Sequence, residues 1–162
     1  MRLTRTMVAV LLLAFASCSP AGHEGAAVAA SRHPMVHPES GLSVIPLTVR
    51  SSGKVHRFSV EVAATPREQA KGLMFRREMG ADEGMIFPMN PPRFASFWMR
   101  NTVLSLDLIF IGTNHRVLNI AANAVPYDET PLPSNGLAIG VLELNGGRAA
   151  ELGIGPGDKV EW

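Results

Sequence analysis

Asp107 and Glu143 are the side chains whose setting most suggests chemistry, because each interrupts a run of large apolar residues. An ionised carboxylate in such a run is costly unless it is paired and hydrogen-bonded. Strand alternation puts Asp107 on the face of Ile109 and Ile111, away from Leu106, Leu108 and Phe110, while Glu143 shares a face with Val141. Arg76 and Arg100 are the natural partners, since a guanidinium fork facing a carboxylate satisfies both groups. Two arrangements fit these residue types. One is a structural ion-pair network that fixes a helix to a sheet. The other is a polar pocket floored by Asp107 and Glu143 and rimmed by Trp98, Asn101 and Thr102, suited to a sugar ring or another partly apolar ligand. Two carboxylates could also hydrolyse a glycosidic bond, which requires them about 5–10 Å apart across a cleft with one pKa raised. The sequence does not fix that separation, and no residue is assigned a catalytic role.

Methionine offers a second chemistry. Met74, Met79, Met85, Met89 and Met99 fall within 26 residues, and thioethers select Cu(I). Met74, Met85 and Met99 lie where the pattern already demands apolar side chains, and methionine fills irregular cores well. Core packing is therefore the expectation, with Met74, Met85, Met89 and Met99 as the set a copper-handling protein would use. There is no nucleophile elbow, no phosphate loop and no Cys or His pair at metal-ligand spacing between residues 42 and 162. No cofactor and no metal site are expected. His56 and His115 stand alone.

The only cysteine is Cys18, which follows a short apolar run preceded by Arg2 and Arg5. A positive start, ten or so apolar residues and small residues before the thiol form a secretory signal. The run is too short to span a bilayer, which takes roughly 20 residues. A lone cysteine at the cleavage point resembles the lipobox of bacterial lipoproteins. The expectation is removal of residues 1–17, acylation of Cys18 and retention on a membrane, with the periplasmic face of the outer membrane preferred. Removing that segment leaves 13 Lys and Arg against 14 Asp and Glu, a balance that implies neither nucleic acid nor an anionic surface as partner. From Cys18 to residue 41 the chain is rich in Ala, Gly, Pro, Ser and His without periodicity, and reads as a flexible linker containing His23, His33 and His37.

Residues 42–162 then have the length of one domain. Residues 42–50 read as an edge strand because of Pro46, and 55–62 as a half-buried strand with Phe58, Val60 and Val62 inward and Arg57, Ser59 and Glu61 outward. Thr65, Pro66 and Glu68 spell a capping box, opening a helix expected over 65–79. Gly72 inside that helix suggests close packing on a strand. Short strands are expected at 84–87, 94–99, 104–111, 117–125, 137–144 and 159–162. A proline-broken loop over Pro88–Arg93, an exposed loop over 126–136 and a helical turn or two from Arg148 to Leu152 complete the list. The fold class is α+β: a small curved sheet or barrel of seven to eight strands with one main helix packed on it.

Six segments in fixed order carry a family resemblance. They are Gly72-Leu73-Met74-x-Arg76, Gly84-Met85-Ile86-Phe87, Phe97-Trp98-Met99-Arg100-Asn101-Thr102, Leu106-Asp107-Leu108-Ile109-Phe110, Val141-Leu142-Glu143-Leu144 and Gly157-Asp158-x-Val160. Together they resemble the bacterial and archaeal family called domain of unknown function 192, over about residues 55–162. Arg100 stands where lysine is common in that family. The resemblance implies a compact β-rich fold and brings no activity, substrate or catalytic residue. The functional expectation is a membrane-tethered, extracytoplasmic binding or accessory domain. Its ligand would be a small molecule or glycan, held around Trp98, Arg100, Asn101, Thr102, Asp107 and the Pro88–Arg93 loop, with Arg76 and Glu143 fixing geometry. A carbohydrate hydrolase using Asp107 and Glu143, and the copper-handling protein, are the alternatives.

Overall fold

A computed structural model describes residues 35–162. The expected signal and acylated Cys18, and with them His23 and His33, fall on residues outside the described ones. Eight strands and two short helices make an α+β fold whose sheet curls into a half-barrel. The strands are β1 (Met35–Val36), β2 (Ser43–Ser51), β3 (Lys54–Val62), β4 (Glu83–Phe97), β5 (Leu106–Gly112), β6 (Val117–Ala124), β7 (Leu132–Asn145) and β8 (Lys159–Glu161). Helix α1 (Pro66–Lys71) joins β3 to β4, and α2 (Arg148–Leu152) follows β7.

The spatial order is β1-β2-β3-β4-β7-β5-β6, with β8 paired to β2. All neighbours are antiparallel except β3 and β4, which run parallel because α1 crosses between them. Pro46, expected to mark an edge, falls between the part of β2 that pairs with β1 and the part that pairs with β8. Its missing N–H thus interrupts no ladder. The curl is drawn together at the far side by an Arg116–Lys159 bridge and by the Val160 N–H donating to the His115 carbonyl at 2.9 Å.

Alternation along the strands feeds two cores. One face gathers Leu47, Val49, Phe58, Val60, Ile86, Ile109, Ile111, Leu142, Leu144 and Val160, with Ala149 of α2. The other gathers Leu73, Met85, Phe87, Met99, Leu108, Phe110 and Val141.

Four local expectations are corrected, the first being the exposed loop over 126–136, whose last five residues already belong to β7. The helix expected over 65–79 ends at Lys71, because Gly72 takes φ 47° and ψ −135°, a conformation helices cannot continue. Its start is as the sequence spells it: the Thr65 side chain accepts from the Glu68 N–H, and the Glu68 carboxylate accepts from the Thr65 N–H at 2.8 Å. The proline-broken loop at Pro88–Arg93 lies within β4, whose pairing with β7 shifts register between Pro88 and Arg93 and so absorbs the prolines. Residues 35–41, read as linker, are placed on the domain: β1 pairs with β2, and His37, Glu39 and Ser40 reach an ionic cluster described below.

Candidate functional site

Glu143 enters the second core face from β7, flanked in register by Met85 on β4 and Leu108 on β5. It is 5% exposed, and burial pushes its carboxyl up to about 8. No hydrogen bond or ion pair to that carboxyl occurs among the described residues, and desolvation is the sole cause of the shift. A group so raised is mainly the neutral acid at pH 7, carrying an O–H that can donate. It lies at the buried end of a cavity of about 530 Å³.

That cavity exists because of two chain reversals. At Gly72, a Cβ would stand 3.3 Å from the Phe87 ring, so α1 approaches β4 more closely than any other residue would comfortably allow. The expected tight packing at this glycine is thus observed, at the helix end. Further on, the Trp98–Thr102 turn is pinned on both sides: the Phe75 N–H donates to the Asn101 carbonyl (2.9 Å), the Met99 N–H to the Asp128 carbonyl (2.8 Å), and the Tyr127 N–H to the Thr102 carbonyl (3.2 Å). Phe75 and Asn101 both sit in left-handed backbone, at φ 65° and 53°. For phenylalanine that is strained, at roughly 1–3 kcal/mol, and the clamped backbone supports it.

The inner wall is apolar: Leu73, Phe87 and Phe97 line it, the last two in an edge-to-face pair at 5.1 Å. The outer wall is polar and cationic. Lys71, Arg93 and Arg100 line it, with Trp98 half exposed beneath the Arg100 guanidinium at 5.6 Å. Glu129 is the acid on this rim, 3.9 Å from Arg100. Arg93 donates to the Gln69 side-chain oxygen at 3.2 Å, while the Gln69 amide nitrogen donates to the Pro88 carbonyl at 2.8 Å.

Of the residues singled out in sequence, Glu143, Trp98, Arg100 and Thr102 therefore line one cavity. Asn101 stands at its edge, its amide 3.9 Å from the Met74 sulfur. Asp107 and Arg76 belong elsewhere. Leu108 is opposite Glu143 and Leu144 is opposite Asp107, so the two carboxylates project from opposite faces of the sheet. Asp107 is fully buried and accepts three backbone N–H groups: Asn123 (2.8 Å), Gly147 (3.0 Å) and Ala149 (2.8 Å). It replaces the missing side-chain cap of α2 and locks that helix to β5 and β6. A cleft flanked by Asp107 and Glu143 is not formed, and neither Arg76 nor Arg100 pairs with them.

Arg76 instead forms a bidentate pair with Glu61, at 2.8 and 3.0 Å, and reaches Glu39 at 3.1 Å. Glu61, expected on the wet face of β3, is buried. Burial alone would raise its carboxyl, but the Arg76 fork and the Ser40 hydroxyl outweigh that and hold it below the usual carboxylate range. His37 stands 3.7 Å from the same carboxylate. This cluster is the structural ion-pair network that the residue types allowed, assembled from different acids.

The methionines also sort by place. Met85, Met89 and Met99 are buried in the second core, Met79 packs against it, and Met74 is half-buried on the cavity wall. Arg93, the end of the Pro88–Arg93 segment expected at the binding surface, also lines the cavity, whereas Lys71, Gln69, Phe97 and Glu129 are cavity residues the sequence did not reveal. They come from α1, the end of β4 and the segment before β7, with no periodic signal to join them.

The DUF192 profile, described as Uncharacterized ACR, matches residues 47–162. A crystal structure of a protein of unknown function from Novosphingobium aromaticivorans DSM 12444 is similar, with 63% identity and a TM-score of 0.79 over 82% of this chain and 94% of that one. A protein from Sinorhizobium meliloti 1021, described as a candidate transcription regulator, matches at 37% identity and a TM-score of 0.72 over 74% of this chain and 94% of that one. No curated protein matches.

Proposed function

This chain belongs to the DUF192 family, and from that premise we propose that its folded part is a ligand-binding or accessory domain, held at an extracytoplasmic membrane face by an acylated Cys18. The single observation behind the binding role is the unpartnered Glu143 carboxyl at the inner end of an aromatic-walled cavity. Its oxygens have no hydrogen-bond partner among the described residues and open onto the cavity, and leaving such a group unmet by any partner costs roughly 1–3 kcal/mol. A ligand acceptor meeting its O–H would offset that cost.

The cavity size falls in the range of small-molecule sites, about 300–1,000 Å³. The walls combine an apolar interior with a few convergent polar groups, the usual composition of such sites. The tether rests on the first 18 residues: two arginines, an apolar run and a thiol after small residues.

Two experiments test the two halves separately. Chemical-shift mapping of the protein against a panel of small acids, amides and monosaccharides should move amides at Gly72, Phe97–Thr102 and Glu143. A panel-wide silence there refutes the binding role. In cells, Cys18→Ser should shift the protein from the membrane to the soluble envelope fraction, and an unchanged distribution refutes the tether.

A further inference from the structure

Which ligand the cavity takes follows from how its polar and apolar groups are distributed. Among the described residues three cations line it, Lys71, Arg93 and Arg100, against one exposed carboxylate, Glu129. Among the described residues, neither Lys71 nor Arg93 has a carboxylate partner. Arg93 is held by a neutral group, the Gln69 side-chain oxygen, which orients the guanidinium without neutralising it. Gln69 is itself anchored to the Ala63 and Pro88 carbonyls at 3.2 and 2.8 Å. The rim is therefore electropositive, with one cation pre-oriented.

Behind the rim the wall changes character. Leu73, Phe87 and Phe97 offer no hydrogen bond, and Glu143 at the buried end presents a single carboxyl. A sugar ring lying against Leu73, Phe87 and Phe97 would lose hydroxyl hydration on that face with no side-chain partner there to replace it, at roughly 1–3 kcal/mol for each stranded group. A cation would meet three like charges on entry. An ion with an oily body meets neither obstacle: its charge stays at the half-exposed rim and its body replaces water against the aromatic rings.

We propose that this cavity binds a small organic anion with an aromatic or aliphatic body, its acid group held by Arg93 and Lys71 and its body lying against Phe87, Phe97 and Trp98 toward Glu143. This rests on the binding role given above and narrows it to one class. The acid group can be a carboxylate or a sulfonate, since both present the same oxygens to a guanidinium.

The test is calorimetric titration of the full protein with four probes of similar size: 1-naphthoate, 1-naphthalenesulfonate, the neutral isostere 1-naphthamide, and 1-naphthylmethylammonium, with N-acetylglucosamine as the polar control. At least one of the two anions should bind ten-fold or more tightly than the amide, and the ammonium and the sugar should bind more weakly still. If only one anion binds, the acid group is identified. Raising sodium chloride from 20 to 300 mM should weaken the anion several-fold and leave the amide unchanged. The double substitution Lys71→Gln, Arg93→Gln, at two exposed positions, should bring anion and amide within two-fold of each other. Equal binding of amide and anions, tighter binding of the ammonium, or binding of the sugar alone overturns the assignment, as does silence from all five probes. In that last case, shifts at the cavity amides in the wider panel would show that the cavity binds something else. Silence there too would remove the binding role itself.

Discussion

Glu143→Gln should make the domain more stable, and by an amount that depends on pH. Glutamine keeps the shape of the neutral acid and removes the ionisation. In the unfolded chain the carboxyl titrates near 4.5, and in the fold near 8. Between those values the native state holds more protons than the unfolded state, so the native protein loses stability as pH rises. The full contribution is present below pH 4.5 and is lost as pH climbs through 8. Each unit within that window is worth about 1.4 kcal/mol. At pH 7 the variant should therefore exceed the wild type by about 3 kcal/mol, and above pH 8.5 by about 5 kcal/mol. At pH 4 the two should coincide. Urea unfolding at the three pH values reads the difference directly, and at pH 7 the midpoint temperature should rise on the order of 10 °C. Lys71, Arg100 and Glu129 line the same cavity, so the titration should be repeated at high salt to separate burial from their field. A difference that is flat with pH, or a variant less stable at pH 7, would refute the claim that this carboxyl is desolvated and alone.

Asp107→Asn should act in the opposite direction. Two of the three N–H donors can still find the amide oxygen, but the Ala149 N–H then faces an NH₂ group, for a loss of about 2 kcal/mol in urea unfolding. Arg76→Ala leaves Glu61 buried without its fork and should cost about 3 kcal/mol, with hydrogen-exchange protection lost first at the Gly41 and His37 amides. Because the Glu61 carboxyl is held low, its contribution is present above pH 4.5 and disappears as pH falls through its folded value, so acid should release residues 35–41 before the sheet unfolds. Gly72→Ala combines a forbidden backbone angle with a 3.3 Å approach to Phe87 and should cost about 2 kcal/mol, read as a lowered midpoint.

Much of the frame could be read from local pattern. The capping box at Thr65 and Glu68, the antiparallel pair of β5 and β6, and the short helix closed by Gly153 all arise from neighbours in sequence. So did the two anomalous carboxylates and the side of its own strand that each occupies. What escaped was register between distant strands. The one-residue offset that sets Leu108 opposite Glu143 sends Asp107 to the other face, and nothing local encodes it. Glu61 was hidden for a related reason: it alternates as a solvent-facing residue, and only the docking of residues 35–41 buries it. Gly72 looked like a flaw within a helix because its left-handed angle is invisible in composition. The cavity was half legible through Trp98, Arg100, Thr102 and Glu143. Its cationic rim drew on α1, β4 and the turn after β4, which only the fold brings together.

Residues 35–41 also decide where mechanical load enters the domain. Any pull arriving along the chain from residue 34 meets the two-residue β1 ladder and the contacts of Arg76 to Glu39 and of Ser40 to Glu61. Behind them lies a second hollow whose walls include Lys71, Gly72 and Met74, the same stretch that borders the Glu143 cavity. Traction from that end is thus borne a few side chains from the Glu143 cavity, and a force-clamp measurement pulling there should detach this strap as a distinct early step before the half-barrel yields.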